Sequence, residues 1–382
     1  MIHEYAQKIR RELHMQPEIG FDLDNTLKVV RRELDTDGIE YVENFGKSSI
    51  VATINPEKAQ YTIGIRADMD ALPITEENDV EYKSRVAGKM HACGHDAHTA
   101  MLLAVAKELN EIKDKINCRV KFIFQAAEEG LCGSRLLVAD GVMKDIDEVI
   151  ALHVEPKYDI GTIGLSAGAQ TANSDRMTID FTGKNAHAIR QHLGADAILM
   201  GVRAYNMIEQ AIAKEVDPTN PVIFNAGEFH GGTAANIIAD RCHIACTLRT
   251  WDGETEKRLL DKMEAICKMS AEISGGTSEF KHTSHYPAVI NDEAVTKGIY
   301  NAAAKVIGEE NIKGRARGMG GEDFAYYANE KPGCMFFLGV ANEEKGTTIK
   351  NHNPKFNIDE DCLQIGIDIF KQYVLDNMNK TK

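Results

Sequence analysis

The stretch Met177-Thr178-Ile179-Asp180-Phe181 reads as a β-strand, and the order of elements after it decides the fold. A helix is expected over 195–213, strands over 222–229 and 243–249, a helix over 254–273 and a last strand over 279–285. That order, β-α-β-β-α-β, is the ferredoxin-like split unit, closed within about 110 residues, an ordinary size for a small domain.

The sequence on either side has a different texture. Residues 1–36 read as two helices separated by Pro17 and Gly20, with Asp24 placed to cap the second. Strands follow over 48–54 and 62–67. A helix over 97–109 carries Met101, Leu102, Val105 and Leu109, and a buried strand is expected over 119–124. A short helix around Leu136 leads to a strand over 148–153. After Asp292 come a helix to Ile307, a strand over 335–340 and a C-terminal helix from Glu360. Strands alternating with helices predict an α/β sheet layered by helices. The α/β domain is therefore discontinuous, residues 1–173 and 289–382, with residues 174–288 inserted as a second domain. Lys58-Ala59-Gln60 and the tail after Asn377 are polar and expected to be loose. Two domains also suit a chain of 382 residues, which exceeds the size at which one core keeps growing.

Composition narrows the function. Hydrophobic residues at 43% and charged residues at 27% are ordinary for a fully folded chain. A formal charge of -14, with no stripe of Lys or Arg to neutralise phosphates, argues against nucleic acid as a partner. Met1 to Gly20 lacks the apolar core of a signal peptide and no apolar run is long enough to span a bilayer, so a cytoplasmic protein without membrane attachment is expected. The eight cysteines are scattered, and seven of them read as reduced, buried, small apolar side chains.

Cys93 is the exception. Met90-His91-Ala92-Cys93-Gly94-His95-Asp96-Ala97-His98 places a thiol and an imidazole around a glycine just before a helix, a pair suited to zinc and its neighbours in the transition series. No second Cys or His pair stands at the short spacing of a structural zinc site, so a site assembled from distant loops fits better. The remaining donors lie at expected strand ends: Glu128-Glu129-Gly130, His153, and the polar turn Lys350-Asn351-His352-Asn353-Pro354. Ligands of open α/β sheets gather beyond the carboxyl ends of strands, where these segments can converge. Of two adjacent glutamates at such an end, one can bind metal while its neighbour serves as a base.

In order along nearly the whole chain stand Arg11-Glu12-Leu13-His14 with Pro17-Glu18, Arg66-Ala67-Asp68-Met69-Asp70-Ala71-Leu72-Pro73, Cys93-Gly94-His95-Asp96, Glu128-Glu129-Gly130, Gly231-Gly232-Thr233-Ala234 and Gly321-Glu322-Asp323-Phe324. With these motifs the sequence resembles the metallo-amidohydrolases of metallopeptidase family twenty, in the branch holding hippurate hydrolase, auxin-conjugate hydrolase, aminoacylases and N-acetyldiaminopimelate deacetylase. The resemblance implies a zinc-aminopeptidase-like catalytic domain with an inserted lid and dimerisation domain. It implies two divalent ions (zinc, manganese, cobalt or nickel) held by Cys93, His95, Glu129, His153 and His352, with Glu128 as general acid and base and Asp68 orienting a ligand imidazole. It further implies that His187 stabilises the oxyanion, reaching the partner's site in dimeric relatives, and that Asn236 and Arg249 hold a substrate carboxylate. The expected reaction is hydrolysis of the amide bond of an N-acyl amino acid, in a homodimer or higher homo-oligomer.

The lid motif departs from the family's usual two glycines before the histidine: it reads Lys184-Asn185-Ala186-His187-Ala188-Ile189-Arg190-Gln191-His192. Asn185 and Ala186 restrict backbone approach to a ligand, and Arg190 adds charge beside the pocket, which suggests an acidic or polar acyl or side-chain group. The segment 235–240 also lacks the proline common before its aspartate. A dipeptidase or aminopeptidase, N-acetyldiaminopimelate deacetylation and a metal-binding homologue without catalysis remain as alternatives. A metal-independent acyltransferase does not, because no Gly-x-Ser-x-Gly elbow is present.

Overall fold

The computed structural model describes residues 1–58 and 60–381, with side chains throughout except at 283–285. Ala59 of the expected loop at 58–60 lies outside the described residues. In chain order the strands are β1 (Glu40–Val42), β2 (Ile50–Ile54), β3 (Thr62–Asp68), β4 (Arg119–Gln125), β5 (Glu148–Asp159), β6 (Ile163–Gly164), β7 (Gly168–Ala169), β8 (Asn173–Thr182), β9 (Ile223–Gly231), β10 (Arg241–Thr250), β11 (Thr277–Tyr286), β12 (Ile290–Asn291), β13 (Ile312–Lys313) and β14 (Gly333–Ala341). The helices are α1 (Ile2–His14), α2 (Asp24–Thr36), α3 (His95–Glu111), α4 (Gly133–Ala139), α5 (Ala197–Glu215), α6 (Gly253–Ile273), α7 (Glu293–Ile307), α8 (Ala325–Glu330) and α9 (Cys362–Asn377). They form two compact units, Met1–Gln170 with Val289–Ala316 and Asp323–Lys382, and Thr171–Ala288 with Arg317–Glu322.

The first unit is built on an eight-stranded sheet of order β1-β2-β4-β3-β5-β14-β6-β13. Its central strands β4, β3, β5 and β14 run parallel. All residues of β3 and β14 are buried, as expected of strands covered on both faces. Because the four run the same way, Asp68 at the end of β3, the residues after Gln125 of β4 and His153 come level with one another; His153 is not at a strand end as expected but midway along β5, which runs on to Asp159 because it stays paired with β14. That parallelism is what gathers the site.

α3 is buried almost all round, from His95 to Ala106, and packs against α1, α9 and the sheet. It begins two residues before the expected start because Gly94, at φ 89°, turns the chain directly into the first helical residue. The Asp24 cap does not form. Asp24 is already helical, and the longer Glu18 reaches across instead, its two oxygens accepting from the Asn25 N–H at 3.0 Å and the Thr26 N–H at 2.8 Å.

Behind the start of α3 lies a buried ionic network. The Arg10 guanidinium contacts Asp96 at 2.8 Å and Glu360 at 3.2 Å, and His14 bridges Asp96 at 2.7 Å and Glu76 at 3.2 Å. α1 is thereby tied to α3 and to the turn before α9. Burial opposes ionisation of Asp96, but Arg10 and His14 outweigh it and hold the carboxyl far below its usual range; Glu360 and Glu76 are lowered too. A carboxylate lowered on folding adds stability that is complete above its unfolded pKa and is lost as pH falls toward the folded value. We therefore expect the thermal midpoint to decline progressively below about pH 4 and the slope of that decline to flatten in Asp96→Asn. His14, whose pKa is raised, gives the opposite sign: its contribution is complete in acid and fades as pH rises through its folded value. An acid limb unchanged by Asp96→Asn would place the sensitivity elsewhere.

The second unit has the order β11-β8-β10-β9, antiparallel throughout. Met177, Ile179, Phe181, Ile244 and Leu248 project to one face and pack with Met200, Ile208 and Met263 of α5 and α6. The chain order β8-α5-β9-β10-α6-β11 on this sheet is the expected ferredoxin-like arrangement. On the opposite face Arg176, Thr178, Asp180, His243, Thr247 and Arg249 project away from the helices. Among the described residues no helix is long and apolar enough to cross a membrane.

Candidate metal centre

Each donor is placed by a local turn. Gly94 sits between Cys93 and His95 where an added Cβ would stand 2.3 Å from Val154 Cγ2, so only glycine lets these two donors converge. After β4, Ala127 takes a left-handed φ of 59°, an unusual conformation for a residue with a side chain. This turn is held from the other side by Gly133, whose missing Cβ would lie 1.8 Å from the Ala126 carbonyl oxygen. The next two peptide N–H groups, of Glu128 and Glu129, donate to the two oxygens of Asp70, each at 3.0 Å. His352 too has a left-handed φ, 62°, and its N–H donates to Ala92 O at 2.8 Å, next to Cys93.

Donor atoms of Cys93, His95 and His153 lie within 4.8 Å of one another, as do those of Cys93, Glu129 and His352 and those of His95, Glu128 and Glu129. The five expected ligands and the expected base are thus brought together in the first unit. Cys93 Sγ is 3.3 Å from His153 Nε2, and His352 Nε2 is 3.2 Å from Glu129 Oε1. His153 Nδ1 faces the Val154 carbonyl oxygen at 2.8 Å; a carbonyl only accepts, so Nδ1 carries the proton and Nε2 presents its lone pair toward Cys93. Both ring nitrogens of His95 are buried without a hydrogen-bond partner. Burial opposes ionisation of the Cys93 thiol, yet His153 and His95 outweigh it and bring its pKa down to about 6. Other buried thiols go the opposite way: burial pushes Cys118 and Cys242 up to about 11. All eight cysteines are buried and none is in a disulfide. His352 is raised to about 10 by its hydrogen bonds to Cys93 and Glu129. A thiolate, imidazoles with open lone pairs and a carboxylate are the donor set of a transition-metal site, and the residues fit divalent ions of the zinc and manganese class.

Asp68 stands close behind. It takes a 2.6 Å hydrogen bond from His98 Nδ1 and lies 3.7 Å from His95 Nε2. His98 Nε2 accepts from the Val154 N–H at 2.9 Å, so both His98 nitrogens are used within the protein and burial brings its pKa down to about 4. His98 is a neutral strut between Asp68 and the His153 strand rather than a ligand. Asp70 is the nearer group to His95 Nδ1, at 3.5 Å. Neither role was legible, although the Asp-x-Asp spacing at a strand end was the available signal.

In the second unit His187 is exposed, its Nδ1 accepting from the Ile189 N–H at 3.3 Å, and it bridges to Ile237. The Ala188 N–H donates to Asn236 O at 3.0 Å, so His187 and Asn236 are neighbours, with exposed Arg190 in the same short turn. Arg249 is not with them. They lie off the Arg241 end of β10, whereas Arg249 is near the other end, eight residues away and roughly 26 Å along the strand.

Residues 64–376 match the model of Peptidase family M20/M25/M40. The chain belongs to this family. The M20 chain is 36% identical over 372 residues to thermostable carboxypeptidase 1 of Saccharolobus solfataricus, covering 96% of this chain and 93% of that one. It is 34% identical over 355 residues to the N-acetyl-L-cysteine deacetylase of Bacillus subtilis, covering 93% and 84%. The crystal structure of the Bacillus subtilis YXEP protein, described as a dinuclear metal binding peptidase from the M20 family, superposes with a TM-score of 0.86 at 29% identity over 99% of both chains. The M20 chain is a metal-dependent hydrolase.

Proposed function

We propose that this M20 hydrolase cleaves the amide bond of small N-acyl amino acids. The observation that carries the reading is the pair of donor triads sharing Cys93, with Glu128 beside them on the turn fixed by Asp70. Cys93, His95, Glu129, His153 and His352 would hold the two ions. When bound, such ions supply Lewis acidity toward a carbonyl and lower the pKa of water to about 7. Glu128 takes the proton of the attacking water and delivers it to the amide nitrogen as the C–N bond breaks. The deacetylase among the relatives supports an acyl amino acid as substrate, while the carboxypeptidase supports the alternative of a peptide. The eight buried thiols suit a reducing compartment, and a cytoplasmic location is part of this reading.

In this reading residues 174–288 form the lid and dimerisation domain, His187 steadies the oxyanion, and Asn236 and Arg249 hold the substrate carboxylate beside Arg190. A small substrate cannot touch both ends of one β10, so two lids are needed, and His187 with Asn236 comes from the partner of a homodimer. The edge strand β9, with exposed Ile223 and Phe229, and the neighbouring exposed Leu199 and Val202 of α5 support lid-to-lid pairing.

Two experiments test this. Protein loaded separately with manganese, zinc, cobalt or nickel is incubated with N-acetyl, N-benzoyl, N-succinyl and long-chain acyl amino acids beside free dipeptides. We expect chelator-sensitive amine release from one acyl series; release from dipeptides alone would make the chain a peptidase. For the dimer, His187→Ala and Glu128→Gln are each purified, then unfolded and refolded together. Activity above the sum of the two places His187 in trans, and no gain over that sum places it in its own subunit.

A further inference from the structure

His153 of β5 and Phe337 of β14 are register partners in parallel strands, so their side chains stand side by side on one face of the sheet. Lower on this face Val149, Ala151 and Met335 pack with Leu137 of α4 and Tyr327 of α8, whereas His153 is partly exposed. The His153 and Phe337 ring centres are 6.2 Å apart. Over the Phe337 ring lies the Arg315 guanidinium, its carbon 3.5 Å from the ring centre. That carbon is therefore no more than about 10 Å from the centre of the His153 ring. Arg315, two residues past β13, is held at both ends. Ser166 Oγ accepts from its N–H at 2.9 Å and donates to its carbonyl oxygen at 3.2 Å, and its Nη1 donates to the Gln170 carbonyl oxygen at 2.7 Å. All of these residues belong to the first unit.

Arg315 is partly buried, and among the described residues no carboxylate comes within ion-pair distance of it. Burial lowers its pKa; the Tyr158 phenol and the Glu155 carboxylate, two residues past His153 on β5, act the other way without pairing with it. The stack on Phe337 occupies the face of the guanidinium, and the Gln170 carbonyl takes one N–H of Nη1. The Nε–Nη2 edge, a fork that fits a carboxylate bidentately, donates to no group among the described residues. A guanidinium already fixed against a ring and a carbonyl loses little freedom when it takes an anion. The proposed function gives the carboxylate of the amino acid to Asn236 and Arg249, so an anion received by Arg315 belongs to the acyl half. We infer that Arg315 receives a carboxylate at the far end of the acyl group, and that the preferred substrates carry a short dicarboxylic acyl chain such as succinyl or glutaryl. The inference rests on the amidohydrolase reading and names the acyl class for it.

N-succinyl-L-alanine and its terminal amide, N-succinamoyl-L-alanine, have nearly the same shape and differ in one charge, which makes them the discriminating pair. We expect kcat/KM to favour the succinyl compound by on the order of tenfold or more, chiefly through KM, and Arg315→Gln to reduce that ratio to within about twofold of unity. Arg315→Lys, which keeps the charge and loses the fork, should fall between. Both substrates are read on one variant, so a general loss of folding or activity cancels, and an Arg315 that only braces Phe337 would leave the ratio unchanged. In parallel, calorimetry with the manganese-loaded protein should show succinate binding that weakens on the order of tenfold in Arg315→Gln, with succinamate and sulfate as controls. A parent ratio near one, or a ratio indifferent to Arg315→Gln, overturns the inference. Sulfate binding as strong as succinate also overturns it, by making Arg315 part of a general oxyanion site. If no N-acyl amino acid is hydrolysed, the amidohydrolase reading fails and calorimetry decides the rest: succinate binding that depends on Arg315 keeps the carboxylate site, and binding that is absent or indifferent to it removes the site as well.

Discussion

Glu128→Gln should lower kcat by about 10²–10⁴-fold while leaving KM within a few-fold of the parent. The amide keeps the size of the side chain and the backbone N–H that donates to Asp70 at 3.0 Å, so the turn that also presents Glu129 is preserved. What is removed is a group able to accept a proton from water and release it to the leaving nitrogen. Elemental analysis of the purified variant separates this from a ligand defect. We expect metal per chain equal to the parent, whereas Glu129→Gln should lose metal, because Glu129 belongs to a donor triad with Cys93 and His352. Activity of Glu128→Gln within tenfold of the parent, with metal in place, would assign proton transfer to another group.

Arg66→Met should destabilise the first unit by about 3–5 kcal/mol, the cost of leaving buried charge uncompensated. The Arg66 side chain is completely buried and contacts Asp68 at 2.7 Å, Asp323 at 2.9 Å and Gln125 at 2.9 Å. Asp323 in turn accepts from Gln125 and from the Ser134 N–H, so one guanidinium joins the ends of β3 and β4 to the start of α4. Methionine fills part of the space and removes the cation from beside two buried carboxylates. Denaturant unfolding monitored by circular dichroism measures the loss; with two units in the chain, the transition that shifts should be the one that responds to added metal. A change below about 1 kcal/mol would mean that the carboxylates protonate or rehydrate at little cost.

Fold class was readable because it depends on local periodicity and order. The alternation of strands and helices and the inserted β-α-β-β-α-β run need no knowledge of long-range contacts; the expected elements are present, but β5 runs six residues past its expected end, and the short β1, β6, β7, β12, β13 and α8, which depend on tertiary pairing, were not anticipated. Start signals were less legible. Asp24 has the right chemistry for a cap, but Glu18, six residues earlier, reaches the same N–H groups because the chain folds back at Gly20, a contact that no local pattern encodes.

At the site, the sequence by itself determined the kinds of donor: a thiol and an imidazole before an expected helix, and carboxylates and imidazoles at expected strand ends and in a polar turn, are fixed by residue identity. Only the tertiary structure decided their division of labour. Cys93 is drawn toward thiolate because histidines from β5 and from the start of α3 converge on it, His98 is withdrawn from ligation because Val154 and Asp68 occupy its two nitrogens, and Asp70 becomes the brace of the Glu128 turn. The same limit applies in the second unit, where residues that resemblance groups on one substrate lie at opposite ends of one strand. Residue type sets what a side chain can do; distance, burial and neighbouring charge, which depend on contacts between segments far apart in the chain, set what it does.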